Sequence, residues 1–388
     1  MAPTLKELCL EVTNLCPMAC MHCSTISVKE GTGPAEHMPI SVAKSVVKEF
    51  KALGGHILEI SGGEPLLYPH LFELLQYAAT LDLEVRLYTS GIVSADDRGL
   101  IGISSGKANK LKAAGVSRII FSLQGATSQT HDSIVGASGA HTLVLSDISN
   151  IKAAGLWTGV HFVPMAPNYQ EIDALMDICW SLRVDELALL RFVPQGRGLK
   201  NRSMLEMTLE KFDSFLKLVV QGKKQYPNLN VRVGCPMDFL SLYEEGLKPH
   251  PCKAGRCTCL IASSGDVVPC PGFKNSPDFI AGNIYNENLS TIWREGFKSL
   301  REFDYHKLSG MCQGCSNLKW CHGRCAAQRV ITYGDLYVGP DPSCPKQLKD
   351  GTRKEEKAID KYQVIAESKA TPSPIIESDR PLPLIASR

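Results

Sequence analysis

The chain has 388 residues, with 42 Lys plus Arg against 40 Asp plus Glu and a net charge of +2. That near balance, without long blocks of like charge, leaves no electrostatic footprint for nucleic acid, and no apolar run reaches the roughly 18 residues needed to span a bilayer. Fifteen cysteines are many. Lys6 and Glu7 interrupt the place where a signal peptide would be apolar, so a cytoplasmic setting is expected, in which thiols serve metal or redox chemistry rather than disulfides.

In chain order, strand-like runs alternate with helix-like segments from Leu8 to about Pro194: LCLEV, HILEIS, EVRLYTS, RIIFSLQ, TGVHFVP and ELALLRFVP, each followed by a polar loop and an amphipathic stretch such as SVAKSVVKEFKALG. The repetition predicts an α/β fold with a parallel sheet. Six units are too few for a closed eight-stranded barrel, so residues 1–202 are expected to form a partial (β/α)6 TIM-like barrel with ligands at the C-terminal strand ends. Residues 203–250 read as a helical connector, with MTLEKFDSFLKLVVQGKKQ apolar at helical spacing. Residues 251–348 carry nine of the fifteen cysteines among short segments and turns, so metal ligation must supply much of their stability. Residues 349–388 read as a charged helical piece, TRKEEKAIDKYQVIAE, followed by a proline-rich flexible tail.

The first concentrated chemistry is Cys16, Cys20 and Cys23 in LEVTNLCPMACMHCS, directly after the first strand. Three thiolates leave one iron of a four-iron cubane short of a protein ligand, which keeps a coordination position for another molecule. The alternative is zinc with His22 as fourth donor, but a ring between two cysteines in a tight loop must turn back sharply to reach the same metal. Gly62, Gly63 and Glu64 follow the second strand; the glycines permit close backbone approach, and Glu64 offers a charge-assisted bond to an ammonium. His131 and His161 read as structural histidines, and Cys9 and Cys179 as core thiols.

The later cysteines have their own spacing. Cys252, Gly265 and Cys270 form one half, and Cys312, Cys315, Cys321, Cys325 and Cys344 the other. Paired zinc ribbons are the alternative for such spacing.

The triad, the Gly62-Gly63-Glu64-Pro65 turn and SLQG after the fourth strand together resemble the radical S-adenosylmethionine enzymes over residues 5 to 200, and the later cysteines resemble the SPASM extension. The resemblance implies a first [4Fe-4S] cluster on Cys16, Cys20 and Cys23, with S-adenosyl-L-methionine on its open iron and its amino group at Gly62, Gly63 and Glu64. It further implies Ser122 on the ribose or carboxylate side and Arg191 at the methionine carboxylate. Two departures stand out: Gln124 where relatives often carry aspartate, and Val135 where many carry an arginine. By the same resemblance, Cys312, Cys315, Cys321 and Cys344 would hold one auxiliary [4Fe-4S] cluster, and Cys252, Cys270, Cys325 and Cys259 the other, with Cys257 as the contested neighbour; the total is three clusters.

The implied activity is reductive cleavage of the cofactor to a 5′-deoxyadenosyl radical that takes a hydrogen atom from a substrate, with a flavodoxin or ferredoxin as reductant. A ribosomally made peptide is the leading substrate, modified by crosslinking, oxidation or epimerisation; Cys9, Cys179, Cys235 or Cys257 would be the thiols to examine for the last outcome. Pro271 stands where sulfatase-maturing relatives carry an aspartate base, which argues against formylglycine formation. The first barrel strand begins almost at once, so either a separate leader-binding protein or recognition by the barrel and tail is expected. Alternatives are a SPASM-type oxidoreductase of a small molecule (a sugar, aminocyclitol or tetrapyrrole) and a non-enzymatic iron-sulfur electron carrier.

Overall fold

The computed structural model describes residues 3–25, 27–29, 32–95, 99–233, 239 and 252–348. Cys235 and the segments after residue 348 lie outside the described residues. Each of the six expected strands is present: β1 (Glu7–Glu11), β2 (Ile57–Ser61), β3 (Glu84–Thr89), β4 (Val116–Ser122), β5 (Trp157–Phe162) and β6 (Glu186–Leu189). They pair parallel in sequence order, as short right-handed crossovers through helices require.

The pleat sorts the side chains. Leu8, Leu58 and Val85 lie in register, as do Leu10, Ile60 and Leu87, and all six are fully buried. They meet α1 (Ile40–Ala52) and α2 (Leu71–Thr80), whose inward residues Val47, Phe50, Leu74 and Leu75 are equally buried. The alternate positions Cys9, Glu11, Glu59, Arg86, Tyr88 and His161 form a polar inner face, where the Tyr88 hydroxyl donates to Glu59 at 2.7 Å and its ring lies 5.1 Å from that of His161. Cys9 packs against the apolar cluster of Leu260, Val268 and Phe273 with charged neighbours on its other side; burial, then Glu59 and Glu11, push its thiol pKa up.

Two short parallel strands extend the sheet beyond the six expected ones. The connector does contain helix α7 (Leu209–Gln225), but Val231–Val233 forms β7, parallel to β6. On the other side, Thr258–Ile261 forms β8, parallel to β1, and leads through antiparallel β9 (Asp266–Val268) and β10 (Gly282–Asn283). The ten strands run β7-β6-β5-β4-β3-β2-β1-β8-β9-β10. The cysteine-rich segment thus enters the barrel's own sheet, and Trp293 on α8 (Leu289–Glu295) joins the same core, its Nε1 donating to Pro3 O at 2.6 Å.

A hairpin, Val93–Ala95 with Gly99–Ile101, follows β3. Its base is clamped by α5 (Ala140–Ala153): Asp147 Oδ1 accepts from Ile103 N at 2.6 Å, and Asn150 Nδ2 donates to Ile103 O at 2.8 Å. Asp147 is 2 % exposed and its Oδ2 has no partner, so burial pushes its pKa up to about 8. Between the ordinary aspartate value and about pH 8 the folded chain keeps a proton that the unfolded chain releases, so this group's contribution to stability is complete at low pH and declines as pH rises. Asp147→Asn, which keeps an acceptor for Ile103, is expected to flatten that decline. Denaturation midpoints at about pH 6 and about pH 8 check it, and an unchanged slope would contradict it.

Candidate active site

The triad loop lies at the C-terminal end of β1, and the structure secures its backbone from three sides. From the β2 turn, Gly63 N donates to Thr13 O and Glu64 N to Leu15 O, each at 2.7 Å. From α4 (Ser128–Val135), Val135 O and Ile134 O accept from Ala19 N at 3.1 Å and Met21 N at 2.8 Å. From the segment after β6, the Arg197 guanidinium donates to Cys20 O and Ser27 O, each at 2.9 Å, and to Ser27 Oγ at 2.8 Å, while Gly198 N reaches Cys23 O. Val135, the departure from the expected arginine, is a buried apolar residue whose carbonyl holds the loop.

The glycines of the turn have a reason beyond ligand approach. A Cβ on Gly62, at φ +139°, would lie 2.3 Å from Thr13 O, and one on Gly63 would lie 2.2 Å from Leu15 O. Only residues without a Cβ let this turn pack against the backbone that leads into Cys16. The Glu64 carboxylate, 1 % exposed, accepts from Leu66 N, Thr89 Oγ1, Ser90 N and Ser90 Oγ at 2.5–3.1 Å. Those four bonds use the roughly four acceptor positions of a carboxylate. Burial pushes its pKa up, and the bonds to Ser90 and Thr89 pull it down. The side chain braces the turn to the end of β3, and a ligand ammonium seated in the turn would meet backbone carbonyls.

Cys16 is buried, and Cys20 and Cys23 are half-buried. Burial, then the charge of Glu64, pushes Cys16 up to about 12; burial, then Cys23 and Cys16, push Cys20 up. Thiols so placed need a strong counter-charge to ionise, which a metal cluster supplies as it releases their protons. His22 is driven the opposite way, to about 4, by burial and then by Arg197; its Nδ1 is buried without a partner. The neutral imidazole, the three coupled thiols and the glycine turn fit a three-thiolate cluster with a ligand at its side.

Ser122 Oγ accepts from Gln124 Nε2 at 2.7 Å, and Gln124 Oε1 accepts from Val163 N at 3.0 Å. The glutamine therefore ties the ends of β4 and β5 together. His131 Nδ1 accepts from Gln124 N at 2.9 Å, in keeping with a structural histidine. Arg191, expected at the methionine carboxylate, has a guanidinium that is 6 % exposed and paired with Asp341 at 2.7 Å and Ser343 Oγ at 2.6 Å, on the side of the cysteine-rich segment.

Cys312, Cys315, Cys321 and Cys344 line one cavity together with Phe239, Asp341 and Lys346. Lys346 Nζ lies 3.6 Å from Cys315 Sγ. Cys252, Cys270 and Cys325 border a second apolar cluster that includes Leu260, Val268 and Phe273; after burial, the charges of Cys252 and Cys325 are what raise Cys270. Cys259, expected with these three, packs in a different apolar cluster. It pairs with Leu8, shares that residue's face of the sheet and packs in the main core with Trp293 and Phe297, whereas Leu260 points toward the other three thiols. Cys257, outside the strand's alternation, feels the charge of Cys252.

The radical SAM superfamily model matches residues 10–179, and the iron-sulfur cluster-binding SPASM model matches residues 252–316. The chain thus carries a radical SAM domain followed by an iron-sulfur cluster-binding SPASM domain. Among its relatives, AdoMet-dependent heme synthase of Methanosarcina barkeri is 29% identical over 355 residues, 86% of this chain and 94% of the relative. PqqA peptide cyclase of Rhizobium meliloti is 27% identical over 338 residues, 86% and 85% of the two chains. Mycofactocin maturase MftC of Mycobacterium tuberculosis is 29% identical over 343 residues, 86% and 81%. Streptococcus suis SuiB bound to precursor peptide SuiA superposes with a TM-score of 0.70 at 18% identity, covering 89% of this chain and 76% of SuiB. Native anSMEcpe with bound AdoMet gives 0.68 at 18%, covering 88% and 95%. These structures share the radical SAM chain's partial-barrel fold.

Arg197, Lys274 and Asp341 were not singled out by motif spacing. Arg197 carried a faint signal, lying between Gly196 and Gly198 after the sixth strand; Lys274 and Asp341 carried none, because their partners Glu11 and Arg191 are remote in sequence. Gly63→Ala is expected to push the turn off Leu15 O and open the triad loop. Iron in the anaerobically reconstituted chain should fall, and 5′-deoxyadenosine release should drop at least tenfold; full iron with normal release would contradict the close-approach argument.

Proposed function

We propose that this radical SAM protein is a cytoplasmic enzyme that modifies a peptide, using S-adenosyl-L-methionine and three [4Fe-4S] clusters. The observation that carries the reading is the similarity over 86% of the chain to two relatives named for peptide maturation, combined with a triad loop secured on three sides. When bound, the first cluster and cofactor supply a 5′-deoxyadenosyl radical. The chain's own residues do the rest: Gly62 and Gly63 seat the turn, Glu64 fixes it to β3, Arg197 holds Cys20 and Ser27 in place, and Gln124 keeps Ser122 oriented at the end of β4. No helix among the described residues is long and apolar enough to cross a membrane. A flavodoxin or ferredoxin would supply the electron, and a separate protein would present the peptide leader.

In this reading Cys312, Cys315, Cys321 and Cys344 hold one auxiliary cluster, and Cys252, Cys270 and Cys325 hold the other, with Cys257 in place of Cys259 as fourth ligand. Cys257→Ala should reduce the iron content by up to one cluster, whereas Cys259→Ala should retain all iron and lose only core packing. Iron and sulfide analysis after anaerobic reconstitution distinguishes them, and the reverse pattern would restore Cys259.

The relative named as a heme synthase favours a tetrapyrrole as the second substrate class. Anaerobic co-expression with candidate precursor peptides, followed by mass spectrometry and amino-acid stereochemical analysis, should reveal a peptide changed in mass or configuration. Deuterium transfer into 5′-deoxyadenosine from a tetrapyrrole, with every peptide unmodified, would reject the peptide reading.

A further inference from the structure

Asp341 stands between the two auxiliary cysteine groups and is 1 % exposed. Its Oδ1 accepts from Arg191 Nη2 at 2.7 Å and Ser343 N at 2.9 Å, and its Oδ2 from Arg191 Nη1 at 2.7 Å and Cys325 N at 3.1 Å. The backbone carbonyl of the same residue accepts from Cys344 N at 2.9 Å. Asp341 also lines the cavity of Cys312, Cys315, Cys321 and Cys344, while Cys325 belongs with Cys252 and Cys270. Arg191 lies just beyond β6. One buried ion pair therefore touches the end of the barrel, the backbone of a thiol in one group and the wall of the other.

Its charge reaches both groups. The carboxylate accepts from the amide of Cys325 and borders the cavity of Cys312, Cys315, Cys321 and Cys344. A buried ion pair is weak evidence for stability, because desolvation offsets much of its attraction. At a cluster, however, nearby charge and hydrogen bonding act on the reduction potential, since each added electron must be accommodated in a medium of low dielectric.

We propose that the Arg191–Asp341 pair is a positioning and redox-tuning element shared by the two auxiliary clusters, locking the end of β6 to the wall between them and setting both potentials together. The proposal rests on the reading that both cysteine groups carry clusters. Removing the carboxylate leaves a cation beside them and stabilises the reduced state; removing the guanidinium does the reverse.

The test is a potentiometric titration followed by electron paramagnetic resonance on the full, anaerobically reconstituted chain, with iron and sulfide counted in each sample. The first cluster is recognised by its spectral response to S-adenosylmethionine. Asp341→Asn should raise both auxiliary midpoint potentials, Arg191→Gln should lower both, the double variant should fall between them, and the first cluster's potential should remain in place. If Arg191→Gln sheds auxiliary iron, Asp341→Asn and the double variant decide the outcome. Unmoved auxiliary potentials at full iron content, or movement of one cluster alone, would overturn the proposal while leaving the ligand reading intact. Fewer than three clusters in the unsubstituted chain would overturn that ligand reading and the proposal with it.

Discussion

The structure depends on satisfying the backbone of the loop that carries Cys16, Cys20 and Cys23. Its thiols must face a common point, so little of the loop can form regular secondary structure, and its buried amides and carbonyls need partners from elsewhere. The turn after β2, the end of α4 and Arg197 provide them. Each comes from a different βα unit, so the loop has its shape only where the three units come together. The glycines at 62 and 63 follow from this constraint: the turn reaches Thr13 O and Leu15 O only where no Cβ intervenes.

The cysteine-rich segment is bound to the barrel by the same logic of shared backbone. Through β8 it adds a parallel strand beside β1, and the strand's alternation divides its residues between two cores. Cys259 and Ile261 join Trp293 in the main core, and Leu260 faces the thiols of Cys252, Cys270 and Cys325. A displacement of one residue along β8 would exchange these faces. The position of the auxiliary thiols relative to the triad is therefore tied to strand register, with the Arg191–Asp341 contact as a second tie on the far side of the barrel.

The six barrel strands were legible in the sequence because each is a short apolar run followed by a clear helical period, and the triad was legible because its spacing is compact. β7 and β8 were not, since three or four residues such as Val231–Val233 become a strand only when a neighbouring edge offers hydrogen bonds. The place of Cys259 in the main core was hidden for a related reason: spacing counts thiols but says nothing of which side of a pleat they occupy. Arg191 was read by its position at a strand end, but its partner lies 150 residues away. The four acceptor contacts of Glu64 were equally hidden, because Thr89 and Ser90 reach it only once β3 lies against β2.

Lys274 shows how the inner face of the barrel tolerates charge. It bonds Glu11 and lies 2.6 Å from Thr25 Oγ1, with 11 % and 3 % of the two charged side chains exposed. Glu11 closes β1, Thr25 follows Cys23, and Lys274 follows Cys270, so this contact joins the triad loop to the auxiliary segment. Leaving either charge alone there would carry a desolvation cost that pairing offsets. Deeper in the barrel, Arg86 pairs with Glu84 and Glu59, and Arg118 with Glu84. The polar lining is therefore built of internally balanced pairs, and a charged substrate group entering near the triad would have to compete with Glu11 for Lys274.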